Sequence, residues 1–313
     1  MKPAPLFTLA FALALGASTP FAGAEPPAEN PYRVALAPAE RFEAGSTLVE
    51  RHGQRGSPLI LIPGLGGGAW VWQDAVRQLS GSHVVYVLTL AGFDGRAPLS
   101  GNAGKSLEAA QQSLQQLIVS RKLVRPVLIG HSMGATMALA FAERNSDLIG
   151  GVVAIDGLPV FPGTEDIPSA QRPQMVAAMR ARLAAGRQDY AARQQQYMRG
   201  IGVTDMSMAD ALAQLSAKSD PDAVAEYTAE TLALDLRAGL PDIKVPVLLI
   251  APYSERDEAQ GGLTRDAKLA YYRTLMAGTP KLDVVPIEPS RHFVMFDQPQ
   301  ALVDAVRAYL KSL

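Results

Sequence analysis

The stretch Val127-Leu128-Ile129-Gly130-His131-Ser132-Met133-Gly134-Ala135 constrains this chain more than any other. An apolar run ends in Gly-x-Ser-x-Gly, and Ala135, Ala138, Ala140 and Ala142 follow at once. The pattern reads as a strand, a very tight turn and a helix smooth enough to lie on a sheet. Gly130 and Gly134 carry no Cβ, so strand and helix can approach closely. Ser132 is then forced into a strained turn with its hydroxyl raised above the sheet edge, as a nucleophile would be. The first turn of the helix leaves backbone N–H groups without intrahelical acceptors beneath that hydroxyl, where negative charge would collect on a carbonyl oxygen under attack.

Three further motifs surround this turn in order. Ile62-Pro63-Gly64-Leu65-Gly66-Gly67 follows an early apolar run, Thr89-Leu90-Ala91-Gly92-Phe93-Asp94-Gly95 follows the next, and Ser290-Arg291-His292-Phe293 lies near the C-terminus. In their order and spacing they resemble the α/β-hydrolase superfamily, over nearly the whole chain after its leader. The resemblance implies an α/β fold: a mostly parallel sheet with helices on both faces, and a helical cap inserted after the strand that ends near Asp156. It also implies a serine hydrolase that needs no cofactor, with its catalytic groups in the chain order serine, acid, histidine.

The 313 residues suffice for a large core, and a net charge of −1 gives no electrostatic case for nucleic acid or an anionic membrane. The N-terminus is of different composition. Lys2, an apolar run over 6–17 and Ala22-Gly23-Ala24 before Glu25 predict a secretory signal peptide over 1–24, cut after Ala24. The apolar run is too short for a comfortable span, so no stable membrane insertion is expected after cleavage. A periplasmic or secreted protein is expected, and the absence of cysteine means it folds without disulfides. Residues 25–38, rich in proline and small residues, read as a flexible leader.

Residues 41–51 predict a hairpin turning at Gly45-Ser46. Runs at 59–62, 84–90, 127–130, 149–155, 245–250 and 282–287 predict strands, the first two of them buried. Between them, helical spacing over 70–79, 107–123, 264–276 and 301–310 predicts a parallel sheet covered on both faces. From 169 to about 236 no strand is expected. Met175, Met179, Leu183, Tyr190, Tyr197 and Met198 punctuate a helical stretch rich in Arg, Gln and Ala. The predicted division is a core of 39–157 and 241–313, with a cap of 158–240 whose Met and Tyr side chains line an adaptable pocket or pack the cap itself.

A serine hydroxyl needs a base. Of the four histidines, His292 lies where a loop after the last strand reaches back over Ser132, whereas His131 is too close in sequence to fold back and reads as structural or a pocket wall. The superfamily places the acid after either of two strands. One position gives Asp156, directly after Val153-Ala154-Ile155 and 24 residues beyond Ser132; the other gives Asp257 or Glu255. Asp156 leads and the other two remain alternatives. The Met133 N–H and, from the glycine loop, the Leu65 N–H are the expected oxyanion donors. Trp70 and Trp72 read as packing. No metal site is visible, and Glu255, Asp257 and Glu258 read as a solvated loop.

The expected substrate is a small-molecule carboxylic ester or lactone. An amidase or aminopeptidase would need an acidic anchor in the cap, for which Glu165, Asp166 and Asp189 are available. A non-catalytic ligand-binding protein that keeps the fold is the alternative of a different class.

Overall fold

The computed structural model describes residues 30–101, 105–260 and 262–313; the signal peptide predicted over 1–24, and the leader up to residue 29, lie outside them. Among the described residues eight strands run in chain order as β1 (Glu40–Ala44), β2 (Thr47–His52), β3 (Pro58–Ile62), β4 (Val84–Thr89), β5 (Val127–His131), β6 (Gly151–Ile155), β7 (Val247–Pro252) and β8 (Leu282–Ile287). They form one sheet of order β1-β2-β4-β3-β5-β6-β7-β8. The β1–β2 and β2–β4 pairings are antiparallel and all others parallel. The first two strands make the predicted hairpin, Ala44 facing Thr47 across Gly45-Ser46.

β3 lies between β4 and β5, so the chain moves one way from β3 and then returns to its other side. Parallel sheets bind ligands beyond the carboxyl ends of strands at such a reversal. The glycine loop after β3 and Ser132 after β5 both emerge there.

The helices are α1 (Gln73–Leu79), α2 (Ser106–Ser120), α3 (Met133–Asn145), α4 (Arg172–Ala185), α5 (Tyr190–Tyr197), α6 (Met206–Ser216), α7 (Pro221–Ala233), α8 (Glu255–Ala259), α9 (Arg265–Leu275), α10 (Val294–Asp297) and α11 (Pro299–Ser312). Side chains alternate across a strand, and β3 divides accordingly. Ile60 and Ile62 join the apolar cluster built by α2, α3 and α9. Leu59 and Leu61 join the cluster built by α1 and α11 on the other face. Trp70 and Trp72 are buried in the second cluster, the packing role expected of them.

Two local expectations change. Tyr32, Val34 and Leu36 of the supposed loose leader pack against the second cluster, and the Ala35 and Leu36 amides bond to Gln73 Oε1 at 3.0 and 3.1 Å. Alternate apolar residues among the prolines give that segment a face to bury. Glu255, Asp257 and Glu258 form the first turn of α8 and not an irregular loop, as acidic groups at a helix N-terminus do.

Between β6 and β7 the chain carries α4 to α7. Arg172 is buried at the foot of this insertion, donating to the Thr164, Leu232 and Leu234 carbonyls at 2.8, 3.3 and 3.3 Å. Asp205 and Asp220 cap α6 and α7, accepting from backbone N–H groups two and three residues on. After α7 has ended, Asp235 pairs with Val160 in an isolated antiparallel bridge, inside the stretch over 169–236 where no strand was expected.

The approach of β5 to α3 depends on its glycines. A Cβ on Gly130 would collide with the Gly134 backbone, and one on Gly134 with the Ile62 and Pro63 carbonyls. Gly134→Ala is expected to lower stability by about 1–3 kcal/mol or more, the usual range for overpacking. Urea unfolding measures it, and a wild-type midpoint would mean that strand and helix have room to part.

Candidate active site

Ser132 has φ 54° and ψ −125°, a left-handed conformation that a non-glycine residue adopts only when its surroundings impose it. Its N–H bonds to the Ile155 carbonyl at 2.9 Å, and its carbonyl accepts from Ala135 and Thr136 at 2.9 and 3.1 Å. The peptide groups on both sides are thereby fixed and the side chain stands at the sheet edge. Met133 opens α3, so its N–H has no acceptor in a preceding helical turn. The glycine loop passes alongside: a Cβ on Gly64 would lie 3.0 Å from Ser132 Cβ, and among the described residues nothing accepts from the Leu65 N–H.

Asp156 follows β6, also with positive φ, and its N–H continues the ladder to the Ile250 carbonyl at 3.0 Å. Its Oδ2 lies 2.5 Å from His292 Nδ1, and Tyr272 Oη donates to Oδ1. Burial alone would push this carboxyl up. The His292 hydrogen bond and charge, the Lys268 ammonium and the Tyr272 hydroxyl overcome that and hold it down at about 2. An ionised Asp156 requires the proton on His292 Nδ1, which leaves Nε2 with a lone pair.

The other two carboxylates proposed from the sequence are elsewhere. Asp257 Oδ1 lies 2.5 Å from Arg291 Nη2, and Glu255 projects from the first turn of α8. Among the three, Asp156 reaches His292. Glu165 accepts from Tyr271 Oη at 2.6 Å, and neither it, Asp166 nor Asp189 lines the cavity over Ser132, so the acidic anchor of an aminopeptidase is missing from that wall.

His131 is fully buried and absent from the cavity lining, so the pocket-wall alternative falls. Burial, reinforced by the neighbouring His292 charge, drives its pKa down to about 3 and keeps the ring neutral. Its Nε2–H donates to the His292 carbonyl at 2.9 Å, and its ring packs 4.5 Å from that of His292 and 4.7 Å from Phe293. The loop is tied from the other side as well. His292 and Phe293 N–H bond to the Ile201 and Gly202 carbonyls at 3.2 and 2.9 Å, and Arg291 donates to the Arg199 and Gly200 carbonyls. Those acceptors belong to one wide turn of helix over Met198–Gly202.

Ser132, Asp156 and His292 line one cavity of about 500 Å³, floored by Leu65, Met133 and Gly157 and walled by Leu183, Tyr190, Arg193, Gln194 and Tyr197 from the insertion. The size suits a small organic ligand. Tyr197 stands 6.0 Å from the His292 ring. Burial and then the Asp156 charge push its phenol up, so it remains a donor. Leu183, Tyr190 and Tyr197, named from the sequence as pocket or cap-core side chains, line the cavity, whereas Tyr272 and Arg193 were not singled out from the sequence. They carry no motif, although the spacing of Tyr190, Arg193, Gln194 and Tyr197 marks one helix face. Among the described residues no group of three His, Asp or Glu is arranged to hold a metal, and no helix is long and apolar enough to cross a membrane.

The depressed Asp156 pKa has a consequence for acid stability. Its contribution is fully present above the unfolded-state value of roughly 4 and is lost as pH falls through about 2. Wild-type stability should fall more steeply across that window than Asp156→Asn stability. Denaturant midpoints at graded pH measure this, and parallel curves would contradict the assignment of the charge.

A family model described as the alpha/beta hydrolase family matches residues 59–305. The chain is 26% identical over 259 residues to the biotin biosynthesis bifunctional protein BioHC of Cellvibrio japonicus, covering 82% of this chain but 48% of that protein, so it spans about half that relative's length. It is 23% identical over 205 residues to the pimeloyl-[acyl-carrier protein] methyl ester esterase of Vibrio atlanticus, covering 62% of this chain and 74% of that one. Among solved structures, a thermophilic esterase from Thermogutta terrifontis superposes with a TM-score of 0.68 at 19% identity, over 88% of this chain and 99% of that one. With the eight-stranded sheet and its reversal at β3 already described, the chain belongs to the alpha/beta hydrolase family.

Proposed function

We propose that this protein is a serine hydrolase that cleaves a carboxylic ester or lactone through an acyl-enzyme. The observation that carries the reading is the Asp156–His292 pair at 2.5 Å on the cavity that Ser132 also lines. The named esterase relative supports the same class.

In this mechanism the neutral His292 accepts the Ser132 Oγ proton at Nε2 as Oγ attacks the substrate carbonyl carbon. Asp156 holds the tautomer and stabilises the imidazolium without itself taking the proton. The Leu65 and Met133 N–H groups donate to the oxyanion. Collapse breaks the carbon–oxygen bond and His292 passes its proton to the leaving alkoxide. Water then repeats the sequence on the acyl-enzyme, giving the carboxylic acid and free Ser132. No cofactor enters. A lactone would follow the same steps with its alcohol still tethered.

The helical segment 158–240 acts as the cap of this site. We further propose export: the composition of 1–24 supports a cleaved signal peptide and a periplasmic or secreted enzyme. Mass spectrometry of the exported protein should find Glu25 as its first residue.

Ser132→Ala should abolish release of p-nitrophenol from a panel of p-nitrophenyl esters. Asp156→Asn should lower kcat by roughly 10⁴-fold, as when a triad acid loses its charge, whereas Glu255→Gln should be mild. Turnover surviving in Ser132→Ala, or the reverse ranking of the acids, would overturn the mechanism.

A further inference from the structure

Resting on the hydrolase reading above, we propose that the cavity selects substrates bearing a free carboxylate remote from the scissile ester, and that Arg193 with Gln194 of α5 forms the subsite that holds it.

Three neighbouring arginines of the insertion hold a carboxylate: Arg180 with Glu226, Arg187 with Asp222, Arg199 with Asp210. Arg182 and Arg193 hold none among the described residues, and of these two Arg193 is the one that lines the cavity. Arg193 lines the cavity and, among the described residues, makes neither an ion pair nor a side-chain hydrogen bond. Its guanidinium lies beside Gly186 at the C-terminal end of α4, where a Cβ would collide with Nη1. Helix carbonyl ends favour a cation nearby without neutralising it.

The rest of the wall has the same polarity. Gln194 Oε1 already accepts from Ser216 Oγ at 2.8 Å, which leaves its amide N–H groups to donate. Thr136, Thr228 and Thr231 spend their hydroxyl protons on carbonyls of their own surroundings. The Asp156 carboxylate is engaged by His292 and Tyr272. An otherwise apolar cavity thus presents a cation and amide donors with no competing anion, and a planar guanidinium fork matches a carboxylate.

Position adds a length requirement. Tyr190, Arg193, Gln194 and Tyr197 share one face of α5, and Tyr197 is the member beside His292. Arg193 lies one turn away, roughly 6 Å along the helix axis. A carboxylate at Arg193 therefore belongs to the far end of a substrate whose ester carbonyl is at Ser132, so the natural ester is the half-ester of a dicarboxylic acid or an ester of a hydroxy acid.

Two measurements test this. The first is the ratio of kcat/KM for monoethyl adipate to that for ethyl hexanoate. The wild type should prefer the anionic ester, and the preference should shrink with added salt. Arg193→Met should reduce the ratio by roughly 10- to 100-fold, the range for a charged hydrogen-bonded contact, Arg193→Lys should restore part of it, and Arg187→Met, on the surface, should keep the wild-type ratio. The second is calorimetric binding of monoethyl adipate to Ser132→Ala, which reads the subsite whether or not any ester turns over. Adding Arg193→Met should weaken binding by a similar factor. A wild-type preference for ethyl hexanoate, an unchanged ratio in Arg193→Met, or equal binding by the single and double variants would overturn the proposal. Binding that depends on Arg193 without turnover of either ester by the wild type would keep the subsite and overturn the hydrolase reading.

Discussion

The backbone turn at Ser132 depends on a contact between peptide groups that side chains would prevent. β5 delivers the chain to a point where α3 must start at once, and the two lie so close that Gly130 and Gly134 face backbone atoms in van der Waals contact. A left-handed serine costs on the order of 1–3 kcal/mol and persists because its neighbours leave no alternative. The bonds from the Ser132 N–H to Ile155 and from Ala135 and Thr136 to its carbonyl supply that constraint. Everything else in the site is arranged around a hydroxyl whose position is thereby fixed: the glycine loop on one side, Asp156 at the end of the adjacent strand, and the His292 loop above.

Much of this was legible in the residues. Apolar runs of four to seven residues separated by helical spacing gave the sheet, because a strand buried on both faces leaves no polar gaps. The Gly-x-Ser-x-Gly turn marked Ser132 as the candidate nucleophile, and its place in the loop after the last strand singled out His292 among four histidines. Boundaries moved by a residue or two, as at β7, which begins at Val247 and runs on through Pro252.

The acid shows where the sequence stopped. Asp156 and Asp257 were both placed by analogy after strand ends, and linear spacing cannot say which one a loop from β8 will meet. The answer lies in a tertiary partner: Arg291, next to the histidine, takes Asp257, and His292 takes Asp156. Tyr272 and Lys268 were invisible for the same reason. They sit four residues apart on an ordinary amphipathic helix, and their influence on Asp156 exists only once α9 packs beside β7. The leader misled in the opposite direction, since proline-rich composition hid the alternation that lets Tyr32, Val34 and Leu36 pack.

The clasp between the His292 loop and the turn over Met198–Gly202 has a mechanical corollary. Backbone bonds at Ile201 and Gly202 and the Arg291 guanidinium join the base to the roof of the cavity, and not only to the sheet beneath it. Roof and base are interlocked: lifting the turn to admit a bulky ligand pulls on the peptide units that hold the imidazole in register with Asp156. In the mechanism proposed above, chemistry is then geared to closure, and a half-seated ligand that props the roof open also displaces the imidazole that would take the Ser132 proton.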